Sequence, residues 1–489
     1  MAQKIESTRK RVAIIGNSPL PIENAKKNYA AGIRTWNFAT AAKNNNCEVM
    51  IIGYRIPKSY QNIEEEIKFM EIEGINYYSV EGTKFEDKNW MLDKINNFNP
   101  DCIVGVNTFP ASFVAELNLN IPFWADLNGS VMAEAQSKAH MYDDDKYVHH
   151  FFKMESKVLS KADIFSTVSE SQGFSLIGEL GIWGRLNKNT MGYRMVRVIP
   201  NTAENKPYNH NKNVIRNVLA KDSDFVILSS GGYNTWTDVD TLFQGLEKAM
   251  DQNPNLVFVS TGGEIFGHDD LTYEHFKELI KSSKHKEKFH LCGWVSNEDL
   301  PNYYIESDLG INSDKYSYEA ILGARTRVLD WLRASLTFIS TPLSEVTNYL
   351  IRNNLAYGFK QGDSDELAEK LLHIASHRDE LEKIKSKLKQ ILPEEFTAEH
   401  TFKEFGDWLK NPSFSPDHDR ILELVSKNGK TLQPSIPKAP LKESIAISSW
   451  PKVSKVLRTF HLTKYEDGVK QFGTNIISKT PQKIYRAKF

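Results

Sequence analysis

Short apolar runs, each closed by glycine or a small polar residue, alternate along most of this chain with longer stretches whose apolar positions recur three or four apart. In the first half the runs are RVAIIG (Arg11–Gly16), CEVMIIG (Cys47–Gly53), DCIVGVN (Asp101–Asn107), PFWADLNG (Pro122–Gly129), ADIFSTVSES (Ala162–Ser171) and VRVIPN (Val196–Asn201). In the second half they are FVILSSGG, NLVFVSTGG (Asn255–Gly263), FHLCGWV (Phe289–Val295), DLGINSD (Asp308–Asp314), LTFIST (Leu336–Thr341) and AYGFK (Ala356–Lys360). Runs this short read as strands buried on both faces, and the helical spacing between them makes each strand pair a right-handed βαβ unit. The pattern predicts an α/β protein with parallel sheets covered by helices on both sides.

The second set of strands begins afresh in mid-chain, at Phe225, behind the polar stretch VIPNTAENKPYNHNKN with Pro200 and Pro207, which reads as a linker. The predicted organisation is therefore two doubly wound, Rossmann-like domains facing across a cleft, residues 1–197 and 216–395, joined by a linker at 198–215. Residues 396–429 are expected to pack back on the first domain as helices, and 430–489 to form a basic C-terminal tail, so that the extension as a whole is mostly helical. Asp143, Asp144 and Asp145 precede a helical stretch, where acids suit the helix dipole and its unpaired amides better than a metal.

In open α/β sheets ligands gather at the carboxyl ends of the strands, which directs attention to the polar residues ending each run. Asn107, Asp126 and Asn128 project toward the cleft from the first sheet, and Asp126 reads either as a carboxylate near a reacting group or as a helix cap. On the same side Gly32 opens the first helix, and Arg34 meets either a phosphate or a local carboxylate. In the second sheet Gly231 and Gly232 follow the first strand, with Asn234 and Trp236 in the loop after them, and Gly262 and Gly263 follow the second. SYEAILGARTRVLDW opens a later helix, with Gly323 near its start and Arg325 and Arg327 in its first turns. Amides at a helix N-terminus beside two guanidiniums favour a phosphate, and Asp330, two turns on, is placed to accept from ribose hydroxyls. The competing arrangement pairs the arginines with Asp330 and Glu319 on the helix surface.

These segments resemble the retaining, nucleotide-sugar-dependent glycosyltransferases of the GT-B fold, known as group 1 or family 4, over roughly residues 10–410. GGYNTWTDVDTLFQGLEKA is similar to the segment written as Gly-Arg, a loop, then Lys-Gly-Val-Asp-x-Leu. FHLCGWVSNEDLPNYYIESDLGIN resembles the stretch that holds the nucleobase, which places Trp294 and Val295 on the donor. LGARTRVLDWLRASLTFIST is similar to the Glu-x7-Glu segment, with Asp330 at the second glutamate and Leu322 at the first, unless Glu319 reaches in from one turn away. Gly232 and Thr237 stand near the places of the usual diphosphate-clamping Arg and Lys, so Arg325 and Arg327 are expected to supply that charge from the opposite wall. PFWADLNGS resembles the segment that presents a histidine in many relatives, and Asp126 and Asn128 occupy that region as the catalytic candidates. The resemblance implies transfer of a hexose-like unit from a nucleoside diphosphate sugar to an acceptor hydroxyl with retention, without metal or other cofactor. A non-catalytic nucleotide-sugar-binding relative and an epimerase on the same scaffold are the rival readings. An NAD enzyme is disfavoured because Gly16 stands alone, without GxGxxG.

The charge distribution adds a possible surface. The formal net charge is −1, yet from Lys430 onward twelve Lys or Arg stand against three acids. With Trp450, Val453, Leu457 and Phe460 among those lysines, the tail suits either an interfacial helix on anionic lipid or a helix packed on the first domain. The lipid alternative makes a lipid-linked or surface polysaccharide precursor the acceptor, and nucleic acid is not an expected partner. Cys47, Cys102 and Cys292 are too widely spaced for a disulfide framework or a CxxC metal site. No apolar run approaches the ~20 residues that span a bilayer, and MAQKIESTRKR lacks a signal-peptide core. The chain is expected in the cytoplasm, soluble or peripheral on the inner face of the membrane.

Overall fold

The computed structural model describes residues 9–23, 25, 29–60, 65–265 and 269–419. The first sheet contains β1 (Arg11–Ser18), β2 (Glu48–Arg55), β3 (Ile67–Ile72), β4 (Ile75–Val80), β5 (Cys102–Val106), β6 (Phe123–Leu127), β7 (Ile164–Thr167) and β8 (Val196–Val198). Their order across the sheet is β3-β4-β2-β1-β5-β6-β7-β8. Every pairing is parallel except β3 with β4, an antiparallel hairpin on the sheet edge. That hairpin is absent from the strand reading above because its turn is Glu73-Gly74 rather than Asn-Gly or Asp-Gly. Both turn residues adopt positive φ, 51° and 77°, as a two-residue hairpin of matching twist demands.

The second sheet contains β9 (Phe225–Ser230), β10 (Leu256–Thr261), β11 (Phe289–Gly293), β12 (Leu309–Asn312), β13 (Phe338–Ser340) and β14 (Tyr357–Gly358). It is parallel throughout, in the order β11-β10-β9-β12-β13-β14. Both sheets thus reverse direction beside their first strand, β1 between β2 and β5, β9 between β10 and β12. At such a point neighbouring crossover helices lie on opposite faces and leave a crevice at the strand ends.

The chain passes between the domains at Ile199–Ala203. Ile199 is buried with the first sheet's core, whereas Ala203 and Ile215 are buried with the second's. After the helix Arg378–Glu395 the chain returns, and the short helix Lys403–Leu409 seals the first sheet with Phe405 and Leu409. Phe405 meets Phe38 at 4.9 Å and Trp124 at 5.1 Å, both edge-on. Direct contacts also cross the cleft: Ser169 Oγ donates to Leu322 O at 2.9 Å, the Glu170 amide to Glu345 at 2.8 Å, and Tyr142 OH to Asp270 at 3.0 Å. No helix among the described residues is long and apolar enough to cross a membrane. The tail at 430–489, on which the lipid reading rests, lies outside the described residues.

Candidate active site in the interdomain cleft

A cleft of about 1270 Å³ opens between the carboxyl ends of the two sheets. Its first-domain wall includes Tyr29, Trp36, Asn107, Phe109, Asn128 and Glu134. Asn107 and Asn128 stand where the strand ends predict them. The Asn128 side-chain amide donates to Asn107 at 3.1 Å, and Asn107 in turn donates to Asn17 at 2.9 Å and to Ala31 O at 3.2 Å.

Three first-domain expectations are corrected. Asp126 does not reach the cleft: it is 0% exposed and holds Arg34, 1% exposed, through two bonds of 2.8 and 3.0 Å. Ser166 Oγ donates to the same carboxylate at 2.6 Å. Arg34 therefore meets a carboxylate rather than a phosphate, and one from β6 rather than from its own helix. Its remaining donors go to Ile199 O, Pro200 O and Asn201 Oδ1, so the guanidinium fastens the linker to the first domain. Gly32 is a packing residue, since a Cβ there would lie 1.9 Å from Pro19 O.

The second-domain wall is built on two glycine turns. Gly231 and Gly262 both adopt left-handed backbone, φ 87° and 106°, and a Cβ on Gly262 would lie 2.1 Å from Gly231 O. Only glycine allows the loops after β9 and β10 to lie this close, which brings Gly231, Gly232, Asn234 and Gly262 to the cleft. Gly263 is not on that wall; its carbonyl accepts from Tyr233 N at 3.1 Å and its Cα packs beside Tyr273. Trp294 and Val295, after β11, line the far end, with the Trp294 indole donating to Glu264 O at 3.1 Å.

The helix expected from Gly323 starts three residues later, and a separate short helix precedes it. Tyr318–Leu322 ends at Gly323 in extended backbone, and Thr326–Arg333 begins after Arg325, with no side chain capping it. The break turns Thr326 and Arg327 into the cleft. It also separates the two arginines chemically. Arg325, 4% exposed, donates to Asp314 at 2.7 Å and to Glu319 at 3.0 and 3.3 Å, with the Trp236 ring 5.5 Å from its Cζ. Arg327 pairs with none of these carboxylates; it donates to Gly232 O at 2.9 Å and lies against Gly231. Asp330 accepts from Tyr208 OH of the linker at 3.0 Å, and the Tyr208 ring lies 4.0 Å under Arg333.

The cluster Asp314–Arg325–Glu319 carries one cation against two carboxylates in a buried setting. Burial pushes the Glu319 carboxyl up to about 7 against the pull of Arg325, while Arg325 is held charged. Burial likewise raises Asp330 to about 6, opposed by the Tyr208 bond. Native Glu319 thus holds a proton that the unfolded chain has released, and its contribution to stability is fully present below about pH 4.5 and lost as pH rises toward 7. Glu319→Gln, permanently neutral, is expected to melt progressively higher than the wild type across that window and to keep a constant advantage above it. Melting temperatures of both proteins from pH 4.5 to 8 test this, and parallel curves contradict it.

Two functional side chains escape a reading of strand ends and glycine turns. Asp314, the last residue of DLGINSD, claims Arg325, and its place just past β12 is the signal that could have found it. Tyr208 sits in a linker whose sequence carries no periodicity, and nothing local announces its bond to Asp330. Among the described residues no group of three or more His, Cys, Asp or Glu is arranged to hold a metal.

The family model for glycosyl transferases group 1 matches residues 224–377, the second domain. Over 93 residues the chain is 30% identical to mannosylfructose-phosphate synthase of Agrobacterium fabrum, 19% of this chain and 20% of that protein, so the match spans a fifth of the relative's length. Among solved structures, sucrose-phosphate synthase from Thermosynechococcus elongatus superposes with a TM-score of 0.62 at 12% identity, covering 82% of this chain and 98% of that one. A trehalose-6-phosphate structure from E. coli bound with UDP-2-fluoro glucose gives 0.58 at 11% identity, covering 83% and 100%. HepE from Anabaena in complex with UDP-glucose gives 0.54 at 10% identity, covering 85% and 99%.

Proposed function

From a chain whose residues 224–377 belong to the glycosyl transferases group 1, set in the two-domain GT-B fold, we propose a retaining transfer of a hexose from a nucleoside diphosphate sugar to an acceptor hydroxyl. The observation that carries the reading is the facing of Arg327 and the uncapped start of the helix Thr326–Arg333 with the Gly231–Gly232 turn. A diphosphate fits between them, held by backbone amides at the helix start and by a guanidinium that feels the Asp314 charge but is hydrogen-bonded to no carboxylate. As the sugar C1–O bond breaks, its electron pair goes to the diphosphate oxygen, and Arg327 with the helix dipole stabilises that charge without a metal. The acceptor oxygen bonds to C1 on the face the diphosphate leaves, and the hydroxyl proton goes to the departing phosphate.

Asp330 with Tyr208 receives the ribose hydroxyls, and Trp294 and Val295 border the nucleobase. Arg325 works one layer behind, fixing Glu319 and Trp236 at the cleft surface. UDP-glucose is the first donor to test, given the ligands of the E. coli and Anabaena structures. Sugars and sugar phosphates are the first acceptors, and a lipid-linked or surface polysaccharide precursor is the finer alternative. The basic tail would bring such a precursor within reach by binding anionic lipid on the cytoplasmic face of the membrane.

The test is nucleoside diphosphate release from a donor panel, with and without acceptors, followed by NMR of the product's anomeric configuration. Acceptor-dependent release with retained configuration is expected. Donor binding without turnover against any acceptor favours the non-catalytic alternative, and acceptor-independent breakdown favours an epimerase-like activity. Flotation with anionic liposomes, comparing the full chain with a chain ending at residue 429, tests the membrane component; equal flotation removes the tail from it.

A further inference from the structure

The helix Val131–Tyr142 begins behind Gly129, at φ 106°, with Ser130 capping the Ala133 amide at 3.4 Å. Its first-turn acid, Glu134, is the one charged residue that positions 9–197 contribute to the cleft among the described residues; the other charges on that side, Glu204, Lys206 and Glu399, come from the linker and the returning segment. Lys138, one turn on, pairs with Glu134 at 3.1 Å and is itself 6% exposed, covered by the rings of Tyr147 and Phe151 at 5.9 and 5.5 Å. An ordinary surface pair at i,i+4 leaves its lysine in water. Here the lysine is withdrawn under two rings while its carboxylate stays a quarter exposed on the cleft wall. The helix also touches Tyr318–Leu322, which carries Glu319, and the charge of Glu134 is among those that raise the Glu319 carboxyl. Glu134 therefore stands where the two domains come together, on the acceptor side, opposite the Arg325–Glu319 pair.

We infer that Glu134 is the acceptor-binding residue of the first domain: its carboxylate accepts a hydrogen bond from the attacking hydroxyl, with Lys138 fixing its position. The inference rests on the transfer reading above and assigns within it a role that Asp126 cannot fill. Glu134 orients the hydroxyl and takes no proton, since the proton leaves on the diphosphate. A carboxylate in this place selects an uncharged hydroxyl as the attacking group and repels a phosphate or carboxylate there.

The experiment uses the full chain with UDP-glucose, or whichever donor the panel selects, and the acceptor found with it. Glu134→Gln keeps an acceptor oxygen but loses the charge, and is expected to lower acceptor-dependent kcat/KM roughly 5- to 20-fold, the difference between a charged and a neutral acceptor, with donor Kd by calorimetry within twofold of the wild type. Glu134→Asp recovers part of the rate. Lys138→Met raises the acceptor KM severalfold with donor Kd unchanged, a split that a purely structural defect would not give. Transfer by Glu134→Gln within twofold of the wild type overturns the assignment, as does a donor Kd that weakens in step with the rate. If Glu134→Gln fails to fold, an unchanged acceptor KM in Lys138→Met overturns it instead. A wild-type chain that turns over no donor overturns the transfer reading itself rather than this assignment alone.

Discussion

Arg327→Met is expected to lower kcat/KM for nucleoside diphosphate release by roughly 100- to 1,000-fold, about 3–4 kcal/mol, the usual cost of removing one preorganised donor from a developing anion. The reason is the division of labour between two arginines only two residues apart. Arg325 spends its donors on Asp314 and Glu319, whereas Arg327 meets only a backbone carbonyl beside the Gly231 turn. Burial lowers the Arg327 pKa against the pull of Asp314, yet a guanidinium stays charged throughout the physiological range, and an incoming diphosphate supplies the bonded counter-charge it lacks. Arg327→Lys should recover only part of the loss, because an ammonium lacks the planar fork. Arg325→Met should instead destabilise the fold, by leaving the buried Asp314 carboxylate without its cation and Glu319 without its donor. Steady-state kinetics with donor Kd and melting temperature for all three variants decide the matter. Wild-type donor affinity and turnover in Arg327→Met would remove the diphosphate from this place.

Arg34→Met is expected to destabilise the first domain by roughly 3–5 kcal/mol, the cost of breaking a buried ion pair on one side. The substitution strands the Asp126 carboxylate at 0% exposure and leaves Ile199 O, Pro200 O and Asn201 without their donor. Replacing both partners removes the orphaned charge, so Arg34→Met/Asp126→Leu should regain at least half of the loss. The first unfolding transition in urea, followed for the wild type and the two variants, gives the comparison. A loss below about 1 kcal/mol in Arg34→Met would mean that water or a rearranged linker satisfies Asp126, against the mechanism in which pair removal is costly. A double variant no better than the single one would show that the linker bonds, rather than the charge, carry the stability.

The architecture was legible because buried parallel strands write themselves as short apolar runs. Phe225–Leu228 or Cys102–Val106 has no polar position to confuse the reading, and the glycines after β9 and β10 mark where backbones must approach closely. The β3–β4 hairpin was not legible, since IKFMEI on a sheet edge is half exposed and its Glu-Gly turn is not a strong signal. The start of the helix expected from Gly323, and the short helix before it, were missed for a related reason. Helical periodicity survives on both sides of the break at Gly323–Arg325, and the break coincides with the pairing of Arg325 to Asp314 beyond β12 and to Glu319 on the preceding short helix.

Sequence by itself determined the two parallel α/β domains, the glycine turns, and the presence of cations and carboxylates at the strand ends, because these follow from local spacing and backbone permissiveness. Which carboxylate meets which arginine was decided only by the tertiary structure. Asp126 and Arg34 lie 92 positions apart and are drawn together beneath the cleft, while Arg325 is bonded to carboxylates and its near neighbour Arg327 is not. Pairing of charges depends on distance and burial, and both are properties of the folded packing rather than of order along the chain.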